Sequence, residues 1–222
     1  KIYFKNLKIK NKLKAIVTAG PTKEYIDPVR YISNKSSGKQ GYEIAKSLVK
    51  KGFETTLISG PTNLEINNDI NLIKVETTEE MFQSTLKSLP ADVAIFSAAV
   101  CDYKAKETSK IKIKKQDEIN LKLEKNVDIL DCVSNHNSLR PKLVVGFAAE
   151  TNNLDNYAYK KLNEKNCDWI VANDVSNDSI GFDSDFNEVS IFYKDKKKDK
   201  LKYRPKSEIS DELVEKIIDH LN

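Results

Sequence analysis

Short apolar runs alternate with amphipathic stretches along most of this chain. Residues 15–19 (AIVTA) are almost wholly apolar, the pattern of a short buried strand. Residues 39–51 follow a helical period, with Ile44, Ala45, Leu48 and Val49 on one face. Residues 53–59 and 71–75 read as strands, and a helix is predicted from Thr78, capped by Thr77 or Thr78. Residues 92–99 (DVAIFSAA) form the continuous apolar run of a central parallel strand, and 143–149 and 169–172 repeat it. Helices are predicted at about 128–134 and 153–165, the second with a stripe of Leu154, Tyr157, Ala158 and Leu162. This alternation predicts an α/β fold: a doubly wound, mostly parallel, Rossmann-like sheet with helices on both faces. Two regions break the rhythm. Residues 105–125 hold KIKIKK and an alternating run, predicting a two-stranded excursion or an active-site flap. Residues 188–203 alternate as a hairpin, and a last helix from Ser207 carries Leu213, Ile217, Ile218 and Leu221 on one face.

Ligands of doubly wound sheets bind outside the carboxyl ends of the strands. TAGPT (18–22), SGPT (59–62), AAVCDY (98–103), GFAAET (146–151) and ANDV (172–175) all fall at such ends. Their convergence on one edge places a candidate active site there. The longest connection, residues 18–41, delivers Ser36-Ser37-Gly38 to the first predicted helix. Free backbone N–H groups and the helix dipole favour an anion at that point. Gly41 lets the first helical turn approach a ligand or the sheet. As a bare strand-to-helix connection, the same loop needs only a Ser36 or Ser37 cap.

The 222 residues fit a single α/β domain, and 39% hydrophobic content supports a core. A net charge of +4 is too mild for a dedicated nucleic-acid binder, so no nucleic-acid partner is expected. The densest basic run, 194–206, is diluted by Asp195 and Asp199 and reads as a solvated hairpin tip. No apolar run approaches the roughly 20 residues that span a bilayer. Residues 1–14 are basic and broken, unlike a signal peptide. The expectation is a cytoplasmic protein without a membrane partner. Cys101, Cys132 and Cys167 are widely spaced and read as reduced thiols. His136 and His220 stand far from other ligand-like residues, so a zinc site or a Ser-His-Asp triad lacks parts. The start without Met suggests a piece cut from, or processed out of, a longer protein.

The segment RYISNKSSGKQG, with TAGPT and DPVR before it, resembles the nucleotide loop of the phosphopantothenate–cysteine ligase family. The likeness continues through AAVCDY, NVDI, GFAAET and ANDV, then GF and NEV. It implies a coenzyme A biosynthesis ligase that joins 4′-phosphopantothenate to L-cysteine through an acyl-nucleotidyl intermediate. The DPVRYISN form, GFAAET and ANDV resemble the bacterial branch, which implies CTP rather than ATP. Mg²⁺ with the CTP, a homodimer, and a possible fused flavin-dependent decarboxylase are implied too, with no flavin in this domain.

The resemblance also implies roles residue by residue. Asn34 handles the acyl intermediate, where a side-chain amide both donates and accepts; alone it reads as an Asx-turn residue. Ser36, Ser37, Gly38 and Gly41 form a phosphate cradle, with Gly20 in the turn beside it. Ala98 and Ala99 offer backbone contacts to substrate. Asp102 meets nucleotide or substrate and can reach a neighbouring subunit's site. Cys101 stands where the family has Ala. Lys112 is the mobile cation over the phosphates, with Lys110 and Lys114 as alternatives. Asn126, Val127, Asp128 and Ile129 meet base and ribose, with Val127 in place of the usual Pro. Phe147, Lys161 and Lys165 meet the nucleotide, and the two lysines share a helix face. The metal ligands stay open. The other readings are an NAD(P)-dependent Rossmann oxidoreductase and a non-catalytic nucleotide-binding module. Against the first, no G-x-G-x-x-G follows the first strand, and Ser59-Gly60 stands where an acidic residue would end the second.

Overall fold

The computed structural model describes residues 12–115, 117–175 and 184–222. Residues 1–11 of the basic start, and the Gly181-Phe182 pair of the GF motif, lie outside the described residues. The first half of the chain forms β1 (Lys14–Ala19), β2 (Lys23–Tyr25), β3 (Tyr31–Ser33), α1 (Lys39–Lys50), β4 (Glu54–Ser59), β5 (Asn71–Lys74), α2 (Thr78–Lys87) and β6 (Val93–Phe96). Then follow β7 (Tyr103–Ala105), β8 (Leu123–Lys125), α3 (Ile129–Ser134), β9 (Leu143–Glu150), α4 (Leu154–Glu164) and β10 (Trp169–Asp174). The hairpin β11 (Phe186–Tyr193) and β12 (Lys198–Pro205) leads into α5 (Lys206–Leu221).

One eight-stranded sheet runs in the order β12-β11-β10-β9-β6-β1-β4-β5. From β5 to β10 every pairing is parallel, and β11 and β12 close the far edge antiparallel. The doubly wound sheet expected from the alternation is therefore the observed one. Neighbouring residues of each inner strand face opposite cores, as a period of two requires. Val17, Ile95, Val145 and Val171 join Ile44, Leu48, Leu213 and Ile217 on the α1–α5 face. Ile16, Ala94, Val144 and Ile170 join Met81, Val133 and Leu162 on the α2–α3–α4 face. Burial on both sides is why these strands read as unbroken apolar runs.

The structure corrects several local expectations. Residues 20–38 are not a plain loop, because β2 and β3 pair within them, with Asp27 taking the Val29 and Arg30 amides at the turn. The central strand ends at Phe96 rather than Ala99, because the Ser97 hydroxyl donates to Thr18 O and the chain then turns along the loop after β1. Helix α1 starts on Gly38 at φ 77°, with no side-chain cap. Ser36 Oγ instead accepts from Gly38 N at 3.2 Å. Tyr157 is exposed, so the buried stripe of α4 narrows to Ala158 and Leu162 with Leu154 beside them. Thr77, not Thr78, caps α2 through a reciprocal box with Glu80. The excursion is two-stranded only at its base, where β7 pairs with β8, and the described residues of 106–122, KIKIKK included, carry no strand.

Candidate active site

Strands β1 and β6 are neighbours whose next strands lie on opposite sides, so a crevice opens at their carboxyl ends. Two cavities lie there. One, of about 500 Å³, is lined by Asn34, Ser36, Ser37, Gly38, Gly41 and Ala99, among others. The other, of about 570 Å³, is lined by Asn126, Val127, Asp128, Ile129 and Lys165, among others. Ala98, Asp102, Phe147 and Lys161 border both, so the two are compartments of one cleft.

The Ser-Gly compartment is shaped by close backbone packing. A Cβ on Gly41 would stand 2.6 Å from Ala19 Cβ and from Ser97 Oγ, so only glycine lets α1 sit this low on the sheet. A Cβ on Gly38, already at positive φ, would meet Thr62 Cγ2 at 2.8 Å. Gly20 lines neither compartment; it packs behind the cradle against Gly60 and Thr62. The SGPT motif therefore supports the cradle from the rear instead of facing the cleft. Thr62 Oγ1 donates to Tyr42 OH at 3.0 Å, which tethers that support to α1.

The second compartment is lined with charge. Lys161 Nζ donates to Phe147 O at 2.8 Å, holding the amine on the shared wall. Lys165 Nζ pairs with Asp128 at 2.8 Å. Its hydrogen bond to Asp128 pushes the Lys165 pKa up against the effect of burial, so it stays a cation. Asp128 also caps α3 by accepting from Asp131 N at 2.9 Å. The amide freed by Val127 is not left loose, because it donates to Asn126 Oδ1 at 3.0 Å. Asn126 Nδ2 is buried beside the cavity with no partner among the described residues. The Asn126 amide donates to Asp102 O at 2.8 Å, tying this loop to AAVCDY. Asn34 is exposed and donates from Nδ2 to Val100 O at 2.9 Å.

Lys112, like Gly20, stands apart from the other sequence-derived residues. It is exposed and lines neither compartment of its own chain, as do Lys110 and Lys114. Cys101 is buried, and that burial pushes its thiol up, so it packs as a small apolar side chain. All three cysteines are free. Reading the sequence missed Gln40, Asn187 and Lys206, which line the Ser-Gly compartment with Asn173. Asn187 donates to Gln40 Oε1 at 3.1 Å, and Gln40 donates to Ser210 Oγ at 2.9 Å. The sequence carried no signal for them, since Gln40 and Lys206 stand among other polar residues in the first turns of α1 and α5. Among the described residues, no group of three or more His, Cys, Asp or Glu could hold a metal.

The family described as DNA/pantothenate metabolism flavoprotein C-terminal domain matches residues 10–221. Coenzyme A biosynthesis bifunctional protein CoaBC of Haemophilus influenzae is 47% identical over 93% of this chain and 52% of its own length. The chain thus spans about half the length of the curated relatives it matches. Among solved structures, the C-terminal domain of a CoaBC superposes with a TM-score of 0.77 at 37% identity, covering 92% of this chain and 93% of the other. A Cab2 H337A complex with phosphopantothenate-cysteine shares the fold, with a TM-score of 0.76 at 16% identity over 94% of this chain and 86% of its own. By the extent of the family match and the identity to its relatives, the chain belongs to the DNA/pantothenate metabolism flavoprotein C-terminal domain family.

Proposed function

We propose that this chain is a phosphopantothenate–cysteine ligase of coenzyme A biosynthesis, using CTP with Mg²⁺. One observation carries the reading: two anion-suited compartments share the wall of Ala98, Asp102, Phe147 and Lys161. That is the arrangement needed to join two anionic substrates through an acyl-nucleotidyl link. The phosphopantothenate-cysteine named for the Cab2 structure and the CoaBC relatives support the same substrates.

In this reading the base and ribose lie along Asn126–Ile129 and Phe147, with the phosphates reaching Lys161, Lys165 and the Ser-Gly cradle. The phosphopantothenate carboxylate attacks the α-phosphorus, the bond to pyrophosphate breaks, and an acyl-CMP forms. Cysteine nitrogen then attacks the acyl carbon and CMP leaves. The chemistry asks the protein for charge neutralisation and alignment more than for a strong base. Asn34, at the end of the β2–β3 hairpin, meets the acyl group. The start of α1, with its helix dipole, faces the phosphate oxygens. Mg²⁺ fits as an ion delivered with the triphosphate, which needs only one or two protein carboxylates. Asp102, an exposed carboxylate bordering both compartments, would hold it. When bound, it neutralises phosphate charge.

Lys112 completes the site from a second copy. The excursion and the β2–β3 hairpin expose Val29, Tyr31, Tyr103, Ile111 and Leu123, apolar area suited to a homodimer interface. A flavin-dependent decarboxylase fused to this domain would supply the partner activity, in line with the bifunctional relatives. Among the described residues no helix is long and apolar enough to cross a membrane. The test is a single-turnover assay with CTP and phosphopantothenate but no cysteine. The reading expects pyrophosphate release at about one equivalent per site, and CMP release only after cysteine is added. CMP released freely without cysteine, or no pyrophosphate from folded protein, refutes it.

A further inference from the structure

The DPVR turn has no role in the chemistry described so far, yet its acid is fully buried. Asp27 has 0% side-chain exposure against 44% for Arg30. Its Oδ1 accepts from Val29 N at 2.8 Å and Arg30 N at 2.9 Å, which shapes the hairpin turn. Its Oδ2 does something the turn does not require. It accepts from Arg30 Nη1 at 2.7 Å and from Ile113 N at 3.1 Å, a residue 86 positions away. Arg30 Nη1 also donates to Ile113 O at 3.2 Å. Both backbone polar groups of Ile113, the residue after Lys112, therefore end on the Asp27–Arg30 pair.

Further bonds tie the same stretch to the hairpin. Ser109 N donates to Ile26 O at 3.0 Å, and Thr108 Oγ1 donates to Tyr25 O at 3.2 Å. The hairpin is in turn fixed to the cleft wall. Thr22 N donates to Ala99 O at 3.3 Å, and Cys101 N donates to Thr22 Oγ1 at 3.0 Å. A continuous hydrogen-bonded path thus runs from Ala99 and Cys101, through the β2–β3 hairpin, to the backbone beside Lys112.

We propose that Asp27 and Arg30 are positioning residues that latch the flap and set where Lys112 is presented. The inference rests on the reading of Lys112 as the phosphate-facing cation. The latch itself is a separate claim about backbone geometry. A charged acceptor fits the role, because one carboxylate takes four donors at once and charge-assisted bonds are the stronger kind. Burial pushes the Asp27 carboxyl up, but the Val29, Ile113 and Arg30 amides and the Arg30 charge outweigh it and hold the pKa below the usual value. The acceptor is therefore ionised at neutral pH.

The experiment combines amide exchange with a kinetic cycle on the full chain. Asp27→Asn keeps the shape but offers N–H donors where Oδ2 accepts. Arg30→Gln, at a half-exposed position, loosens the same latch with little risk to folding. Exchange at the Ile113 amide should accelerate about tenfold or more in each variant, the scale of losing a bond to a charged group. Amides of β1 and β6 should stay protected. Turnover should fall roughly ten- to a hundred-fold, as a misplaced catalytic group costs. The same substitutions in a Lys112→Gln background should cost almost nothing more, because the group they position is gone. Unchanged Ile113 exchange in both variants overturns the latch, whatever happens to activity. Fast exchange with turnover losses that simply multiply with Lys112→Gln overturns the positioning role. Fast exchange with a fully active Lys112→Gln keeps the latch and refutes the assignment of Lys112 instead.

Discussion

Lys165 Nζ stands 2.8 Å from an Asp128 oxygen on the wall of the larger compartment. The pair holds the cation in place before any nucleotide arrives, and Asp128 is engaged at the same time as the cap of α3. Lys165→Met should therefore raise the KM for CTP by roughly ten- to a hundred-fold, the usual loss for a bond to a charged group. Its kcat should change much less. Steady-state kinetics with CTP varied checks this, and an unchanged KM would remove Lys165 from the nucleotide site.

Gly41→Ala tests the floor of the cradle. The added Cβ would press on Ala19 and Ser97, each 2.6 Å away, so α1 must lift from the sheet. Overpacking of this kind costs about 1–3 kcal/mol of stability. Denaturant unfolding should show that loss, with weaker binding of the phosphorylated substrates in the protein that remains folded. A variant as stable as the parent would mean that the close approach is not needed.

The strands of the sheet were legible in the sequence because burial on both faces writes itself as continuous apolar runs. Ile16 with Val17 and Val144 with Val145 show it. Lys161 and Lys165 came from the resemblance, and their spacing of four added only that they share a side of α4; both line the larger compartment. The β2–β3 pair was not, since three-residue strands carry too few side chains to show a period. Gln40, Asn187 and Lys206 were invisible because they meet only through the fold: Lys206 follows Gln40 by 166 positions and accepts a bond from it at 3.4 Å. Gly20 was readable as a tight turn, but only packing shows that it supports the cradle from behind. Lys112 came from the resemblance alone, and its own chain does not bring it to either compartment.

Acid should open the Asp27 latch late. A carboxyl whose folded-state pKa is depressed gives its full contribution above the unfolded value and loses it as pH falls through the folded one. Protection of the Ile113 amide, corrected for intrinsic exchange, should hold steady from neutrality down to the ordinary value of 3.8 and fall only below it. Loss of protection well above that value would show that the carboxylate is not the acceptor that matters.

Assembly gives an independent check on the flap. If Lys112 serves a neighbouring site, the active species is a homodimer. Mixing Lys112→Gln chains with Asn34→Asp chains should then restore activity to the sites that pair two intact contributions. Full activity from a monomer, measured by light scattering at assay concentration, contradicts the arrangement.

The central claim is tested most directly by product formation with phosphopantothenate, cysteine and Mg²⁺, comparing CTP with ATP. Phosphopantothenoylcysteine, CMP and pyrophosphate should appear in equal amounts, with kcat/KM for CTP far above that for ATP. Asn34→Asp and Lys112→Gln, each folded by circular dichroism, should lose about a hundred- to a thousand-fold in rate, the scale of one lost transition-state contact. Folded protein that makes no phosphopantothenoylcysteine with either nucleotide would contradict the account.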